Sequence, residues 1–298
     1  MTERLSGVTL PTGHDYSPWS VGLGETFVNV ADGLGGAAGV YDAGALPFIH
    51  LMFHPERQPF ATIQNIAAGL YDDLLIEWLE KLKLYCDSGR TAVVVYLPEF
   101  NGNWTVYGDD IPSPMDFLIA WYWFANTLRS MGMGPDQVKL CWAPNDTGFY
   151  TLNHWWPDTE TVETVDIVGC SAYNDGGVFG GAPWETPADL YDPFVVEVRE
   201  FTDKRIIITQ TGCVLNPHNT EQQEWLQDMV NYVDWWANVD GVIYYNELQY
   251  SYPDRDDFNA KMLPLNSERP DHWFEEAPMP YYPKAIAGEV ATTYGSLP

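Results

Sequence analysis

Short apolar runs rich in β-branched residues recur along the chain, each ending in a polar residue or glycine. They predict eight strands: Leu5–Leu10, Thr26–Ala31, Pro47–Phe53, Ala92–Glu99, Val138–Trp142, Val165–Ala172, Arg205–Gln210 and Gly241–Asn246. Several are almost continuously apolar, notably Thr91-Ala92-Val93-Val94-Val95-Tyr96 and Arg205-Ile206-Ile207-Ile208-Thr209, as expected of parallel strands covered on both faces. Helical periodicity fills the gaps, most clearly over Asp72–Tyr85, Met115–Met131 and Thr220–Trp236. The first of these places Leu75, Trp78, Leu79 and Leu82 on one face behind an acidic start at Asp72 and Asp73. Ser113-Pro114 opens the second, and Thr220 with Glu221 to Glu224 opens the third as a capping pattern.

Strand–helix alternation of this kind predicts a parallel α/β fold. Eight strands in roughly 250 residues match a closed (β/α)8 TIM barrel better than an open sheet, because no glycine-rich phosphate fingerprint follows the first strand. Gly33-Leu34-Gly35-Gly36 lacks that spacing and the ribose-binding acid, and reads as a turn. From about Tyr250 the composition shifts to proline and aromatics, as in Pro278-Met279-Pro280-Tyr281-Tyr282-Pro283, which excludes regular helix or central strand. The expected organisation is one barrel domain over residues 1–250 and an extended arm over 251–298, packing on the barrel or on a partner.

Charge narrows the partners. Fourteen Lys and Arg stand against 42 Asp and Glu, a formal net charge of −28, so the chain repels phosphate backbones and anionic lipid heads. Nucleic acid and membrane insertion are therefore not expected, and no apolar run is long enough to span a bilayer. The start, Met1-Thr2-Glu3-Arg4-Leu5, has neither the basic stretch nor the apolar run of a signal peptide. Cys86, Cys141, Cys170 and Cys213 are scattered and read as small core residues. His14, His50, His54, His154, His218 and His272 show no ligand spacing, and Asp109-Asp110 and Asp254-Arg255-Asp256-Asp257 lack a calcium-loop pattern and read as solvated turns. No metal and no cofactor is expected.

Reacting groups of a barrel enzyme sit where strands end, and the most informative end is Leu97-Pro98-Glu99-Phe100-Asn101-Gly102-Asn103-Trp104. A glutamate closing a valine-rich strand, followed by a turn and a tryptophan, supplies what a sugar site needs. The carboxyl protonates a glycosidic oxygen if its surroundings raise its pKa, and the indole offers a platform.

The stretch Ala68-Gly69-Leu70-Tyr71-Asp72-Asp73, its helix, and Pro98-Glu99-Phe100-Asn101-Gly102-Asn103-Trp104 together resemble the family 26 glycoside hydrolases, the β-mannanase group. The likeness continues through Ala120-Trp121-Tyr122, Arg129-Ser130-Met131-Gly132, Trp142-Ala143-Pro144-Asn145, Val165-Asp166-Ile167-Val168-Gly169, Tyr173-Asn174 and Ile206-Ile207-Ile208-Thr209-Gln210-Thr211-Gly212. It covers residues 60 to 250 in the family's order. The resemblance implies that Glu99 is the acid/base, that Trp104 and Trp142 face the sugar, and that Tyr173 directs its hydroxyl at the nucleophile. Core filling is the competing role for the tryptophans. Asn101 and Asn145 are expected as turn residues first and hydroxyl-binding amides second, and Tyr245 joins the substrate-facing set.

Two departures matter. The family's His-Glu pair is Pro98-Glu99 here, and the glutamate nucleophile that the family carries at the end of the seventh strand is Gln210. A retaining mechanism needs two carboxyls about 5–5.5 Å apart. An amide is a poor nucleophile and carries no charge to stabilise an oxocarbenium ion. Three explanations stand: an engineered Glu-to-Gln change, natural inactivation leaving a glycan-binding barrel, or a substitute carboxylate such as Glu247 or Asp175 acting as the base of an inverting reaction at about 6.5–9.5 Å from Glu99.

Two functions of different class follow. One is a barrel that cleaves, or once cleaved, a β-linked polysaccharide or cell-surface glycan. The other is a non-catalytic glycan-binding or structural protein of a larger assembly. A chain read as leaderless must still reach glycan outside the cell. Release by lysis as part of a virion, as a bacteriophage tail protein with the C-terminal arm used in assembly or homo-oligomerisation, is one expected route; a cytoplasmic glycosidase is the other.

Overall fold

The computed structural model describes residues 22–108, 112–146, 148–174, 184–213, 220–235 and 239–244 of the 298-residue chain. In chain order they form β1 (Gly22–Asn29), α1 (Ala37–Asp42), β2 (Ala45–Met52), α2 (Ile63–Ala67), α3 (Asp72–Asp87), β3 (Ala92–Tyr96), α4 (Pro114–Ser130) and β4 (Val138–Trp142). A short 3-10 turn over Leu152–Trp155 leads to β5 (Ile167–Asn174), α5 (Pro187–Arg199), β6 (Ile206–Cys213), α6 (Thr220–Trp235) and β7 (Gly241–Tyr244). The seven strands pair in parallel in sequence order. β1 and β7, at opposite ends of that order, approach each other, so the sheet is strongly curled. The predicted strand Leu5–Leu10 and the predicted C-terminal arm lie outside the described residues.

Side-chain alternation divides the apolar residues into two groups. Leu46 and Phe48 of β2, Val93 and Val95 of β3, Cys141 and Ala143 at β4, Ile167, Ile207 and Ile243 form one cluster inside the curl. Their neighbours Ile49, Leu51, Val94, Tyr96, Leu140, Trp142, Val168, Cys170, Ile206, Ile208 and Val242 face outward and pack with the buried faces of the helices. The predicted stripe Leu75, Trp78, Leu79 and Leu82 of α3 is part of this outer layer. All four cysteines are buried, as expected of small core residues.

Local chemistry accounts for the helix starts. Ser113 Oγ accepts from the Asp116 N–H, with Pro114 in the first turn of α4. Thr186 and Asp189 form a reciprocal capping box at α5. Thr220 departs from expectation: it is the first residue of α6 itself. Helices α1, α2 and α5 are absent from the three clearest periodic stretches. The first two are only six and five residues long, too short for a face to repeat.

Two strand boundaries carry functional weight. The predicted strand Ala92–Glu99 stops at Tyr96, because the backbone turns left-handed at Leu97 (φ 52°) and again at Glu99 (φ 58°). β6 continues past its predicted end at Gln210 to Cys213 and carries an irregularity. Cys170 of β5 pairs with Ile208, but the next residue, Ser171, pairs with Gln210, so Thr209 is an extra residue in β6. The pairing with β7 slips at the same place, between Ile208 and Thr211.

Inside the curl, β5 passes close to its neighbours at Gly169. A Cβ there would lie 2.7 Å from Ala143 Cβ and 2.8 Å from both Cys141 Sγ and Thr209 Cγ2, distances that a packed core cannot relax cheaply. Gly169→Ala is accordingly expected to lower stability by about 1–3 kcal/mol, as an overpacked core does. Denaturant unfolding of the two chains would measure it, and an unchanged midpoint would contradict this packing.

Candidate functional site

The C-terminal ends of β2 to β6 bring together His50, Glu99, Asn145, Ser171, Tyr173 and Gln210. Glu99 follows the double turn after β3, and several bonds hold that strained backbone in place. Leu97 N–H donates to Leu51 O (3.0 Å), Glu99 N–H to Ala143 O (2.9 Å), and the Tyr107 hydroxyl to Pro98 O (2.7 Å). Left-handed backbone at two non-glycine residues costs of order 1–3 kcal/mol each, and here it ends β3 ahead of the glutamate.

The Glu99 side chain is part-buried and its carboxyl is enclosed by donors. Trp104 Nε1–H donates to Oε2 at 2.5 Å and Asn145 Nδ2–H to Oε1 at 3.2 Å. Burial pushes the Glu99 pKa up. The hydrogen bonds, those from Trp104 and Asn145 first, pull it down, and burial is the larger effect. Trp104 reaches the carboxyl by lying flat against Gly102, where any Cβ would collide with the indole ring. Trp104 as a whole is 48% exposed, an aromatic side chain open to solvent beside the acid.

Gln210 reaches the site through the extra residue Thr209. Ile206 and Ile208 face the helices and Ile207 faces inward, so unbroken alternation would send residue 210 outward. With Thr209 inserted, Gln210 stands beside the inward Ser171, and Thr211 takes the outward place, bonding the Tyr191 hydroxyl of α5 at 2.6 Å. Gln210 Oε1 accepts from the Ser171 hydroxyl (3.2 Å) and the Tyr173 hydroxyl (3.3 Å). Its Nε2 lies 3.0 Å from His50 Nδ1. Asn145, which bonds the Glu99 carboxyl, and Ser171, which bonds the Gln210 amide, are themselves paired across the strand ends.

His50 is fully buried on β2, its ring 4.7 Å from that of Phe27, and burial lowers its pKa to about 3. The imidazole is therefore neutral at any ordinary pH.

Other predicted site residues are placed differently. Trp142 is fully buried on the helix-facing side of β4, against Phe100, Trp156 and Phe201, with its N–H donated to Trp155 O (3.0 Å). It fills the core and offers no face to a sugar, because even-numbered positions of β4 face outward. Asn101 is also buried. Its amide staples two strand ends, donating to Asn145 O (2.9 Å) and accepting from Asn145 N–H (2.8 Å). Asp175, Tyr245 and Glu247 lie outside the described residues. Among the described residues no group of three or more His, Cys, Asp or Glu is placed to hold a metal, and no helix is long and apolar enough to cross a membrane.

His50 and Ser171 did not emerge from sequence reasoning. A signal for His50 was present: it falls on the same alternate positions as Leu46 and Phe48, a polar residue on an apolar inward face. Ser171 carried none, since a serine in a buried strand commonly bonds its own backbone.

Comparison of folds adds the class. The chain superposes on a GH26 β-mannanase from Bacteroides ovatus with a TM-score of 0.60 at 13% identity, covering 95% of this chain and 87% of that one. GH26C from a Muricauda species gives 0.55 at 14% identity, over 87% and 85% of the two chains. The endo-β-mannanase/endo-β-glucanase of Prevotella bryantii gives 0.52 at 15% identity, over 80% of this chain and 35% of that longer one. No family model and no curated relative matches the sequence itself. The chain thus has the fold of the GH26 β-mannanases, which is the fold the sequence resemblance implied.

Two measurements test the site's electrostatics. Below pH 6.5 the unfolded chain binds a proton at His50 that the fold excludes, so His50 makes stability rise with pH between about 3 and 6.5 and adds no further slope above. The slope is about 1.4 kcal/mol per pH unit. Urea unfolding at about pH 7 and 5 should show that His50→Gln loses less stability on acidification than the natural chain; equal losses would contradict the buried neutral imidazole. Trp104→Phe removes a donor from the Glu99 carboxylate and should raise the Glu99 pKa further, read by carboxyl 13C titration.

Proposed function

We propose that this surface is a carbohydrate site, with Glu99 as proton donor to a glycosidic oxygen and Gln210 at the position of a retaining nucleophile. The observation that carries this reading is the convergence of Glu99 and Gln210 through the paired residues Asn145 and Ser171, one bonding each, at strand ends of a GH26-type fold. A donor must hold its proton near neutral pH, and the upward shift of Glu99 supports that role. Trp104 stacks on a pyranose face while its N–H steadies the acid.

Hydrolysis by the retaining route stops at Gln210. An amide forms no glycosyl ester and gives no negative charge to the oxocarbenium-like transition state, so the chain as it stands binds glycan and cleaves it little or not at all. The hydrogen bonds around Gln210 favour this glycan-binding outcome: two hydroxyls and a neutral imidazole meet an uncharged amide, with no ion left to neutralise. A net charge of −28 further favours a neutral polysaccharide over a uronic-acid polymer. Since the fold's relatives include β-mannanases, plant mannans are the first substrates to try.

The test is to incubate the chain and its Gln210→Glu variant with neutral β-linked polysaccharides, mannans first, and to assay new reducing ends. The natural chain should release little, and Gln210→Glu should release sugar. Adding Glu99→Gln to that variant should then cut the rate by about 10²–10⁴. Binding without release by either chain would leave a glycan-binding protein and remove the enzyme, and absence of both would overturn the carbohydrate site.

A further inference from the structure

Position 210 sits in a chain of hydrogen bonds that has a direction, and that direction depends on the tautomer of His50. Gln210 Oε1 lies 3.2 Å from Ser171 Oγ and 3.3 Å from the Tyr173 hydroxyl, and Nε2 lies 3.0 Å from His50 Nδ1. An amide has one end that accepts and one that donates, so each neighbour's proton must match the end it meets. A phenol donates well and accepts poorly, which places the amide oxygen toward Tyr173 and the N–H toward His50. Nδ1 must then be the bare nitrogen of the ring, with the imidazole proton on Nε2.

We propose that His50 is a positioning residue for Gln210: as its Nε2–H tautomer it accepts the amide N–H at Nδ1 and holds the amide oxygen toward Ser171 and Tyr173. Burial, which keeps the ring neutral, keeps Nδ1 available as an acceptor. The Ser171 hydroxyl has a single proton. That proton goes to Gln210 Oε1, so the bonds run from Ser171 through Gln210 to His50. A glutamate at 210 does not fit this set unchanged. A carboxylate oxygen facing the bare Nδ1 sets acceptor against acceptor, so the ring must move its proton to Nδ1. His50 is thereby the residue that adapts the site to an amide or to a carboxylate. The inference deepens the carbohydrate-site reading and rests on it only for the meaning of position 210.

Imidazole 15N spectra of the full chain test it without any glycan or any activity, so failure here and failure of the carbohydrate reading are separable. The chain has six histidines, and the His50 signals are those lost in His50→Asn. At neutral pH the natural chain should show His50 Nδ1 at the unprotonated, pyridine-like position and Nε2 at the protonated, pyrrole-like one. In Gln210→Glu the Nδ1 resonance should move to a protonated position. A protonated Nδ1 in the natural chain overturns the proposal by itself, whether or not the variant folds. An Nδ1 that stays unprotonated in a folded Gln210→Glu chain overturns it as well.

Discussion

Between Ile208 and Gln210, strand β6 carries one residue more than the strand beside it, and the candidate site depends on that residue. A parallel strand in a curled sheet has two faces, one toward the interior and one toward the helices, and alternation assigns each residue to one of them. Thr209 shifts this assignment by one. Gln210 turns inward beside Ser171 and Thr211 turns outward to Tyr191, while the apolar residues before the irregularity keep their places. Thr209 Oγ1 bonds Cys170 O at 3.1 Å, which occupies the extra hydroxyl within the strand pair. Gly169, opposite, leaves the space that the added side chain takes up.

The other half of the site is made by breaking a strand rather than lengthening one. β3 is buried at every position, and the sequence pattern would extend it to Glu99. Two left-handed residues around Pro98 end it instead, and bonds from Leu97, Glu99 and Tyr107 fix the turn. The strain is held by rigid neighbours, which is where strain is tolerated in proteins. Its result is a carboxyl in a dry, donor-lined position, with the competing effects of burial and hydrogen bonding resolved in favour of the protonated form.

These devices explain why the residues around the site are mostly neutral in a chain so rich in acid. His50 is kept uncharged by burial, Gln210 is an amide, and Asn145, Ser171 and Tyr173 offer only dipoles. Such a set meets its neighbours through matched donors and acceptors more than through charge.

The sequence by itself determined the parallel α/β class and the approximate place of most strands along the chain. The β-branched runs, the stripe on α3 and the caps at Ser113 follow from local periodicity and backbone chemistry, which depend on neighbours in the chain. It also marked Glu99 at a recognisable strand end, and the family resemblance marked Gln210. Only the tertiary structure decided which of the marked residues meet. Trp142 and Trp104 are the same residue type at expected sugar-facing places, yet the outward phase of β4 buries one and the close approach to Gly102 exposes the other. The inward turn of Gln210, the place of Ser171 beside it and the contact with His50, 160 residues earlier, rest on pairing between strands. No periodicity within one strand records where its neighbour has one residue fewer, and for that reason the site could be named from the sequence but not assembled from it.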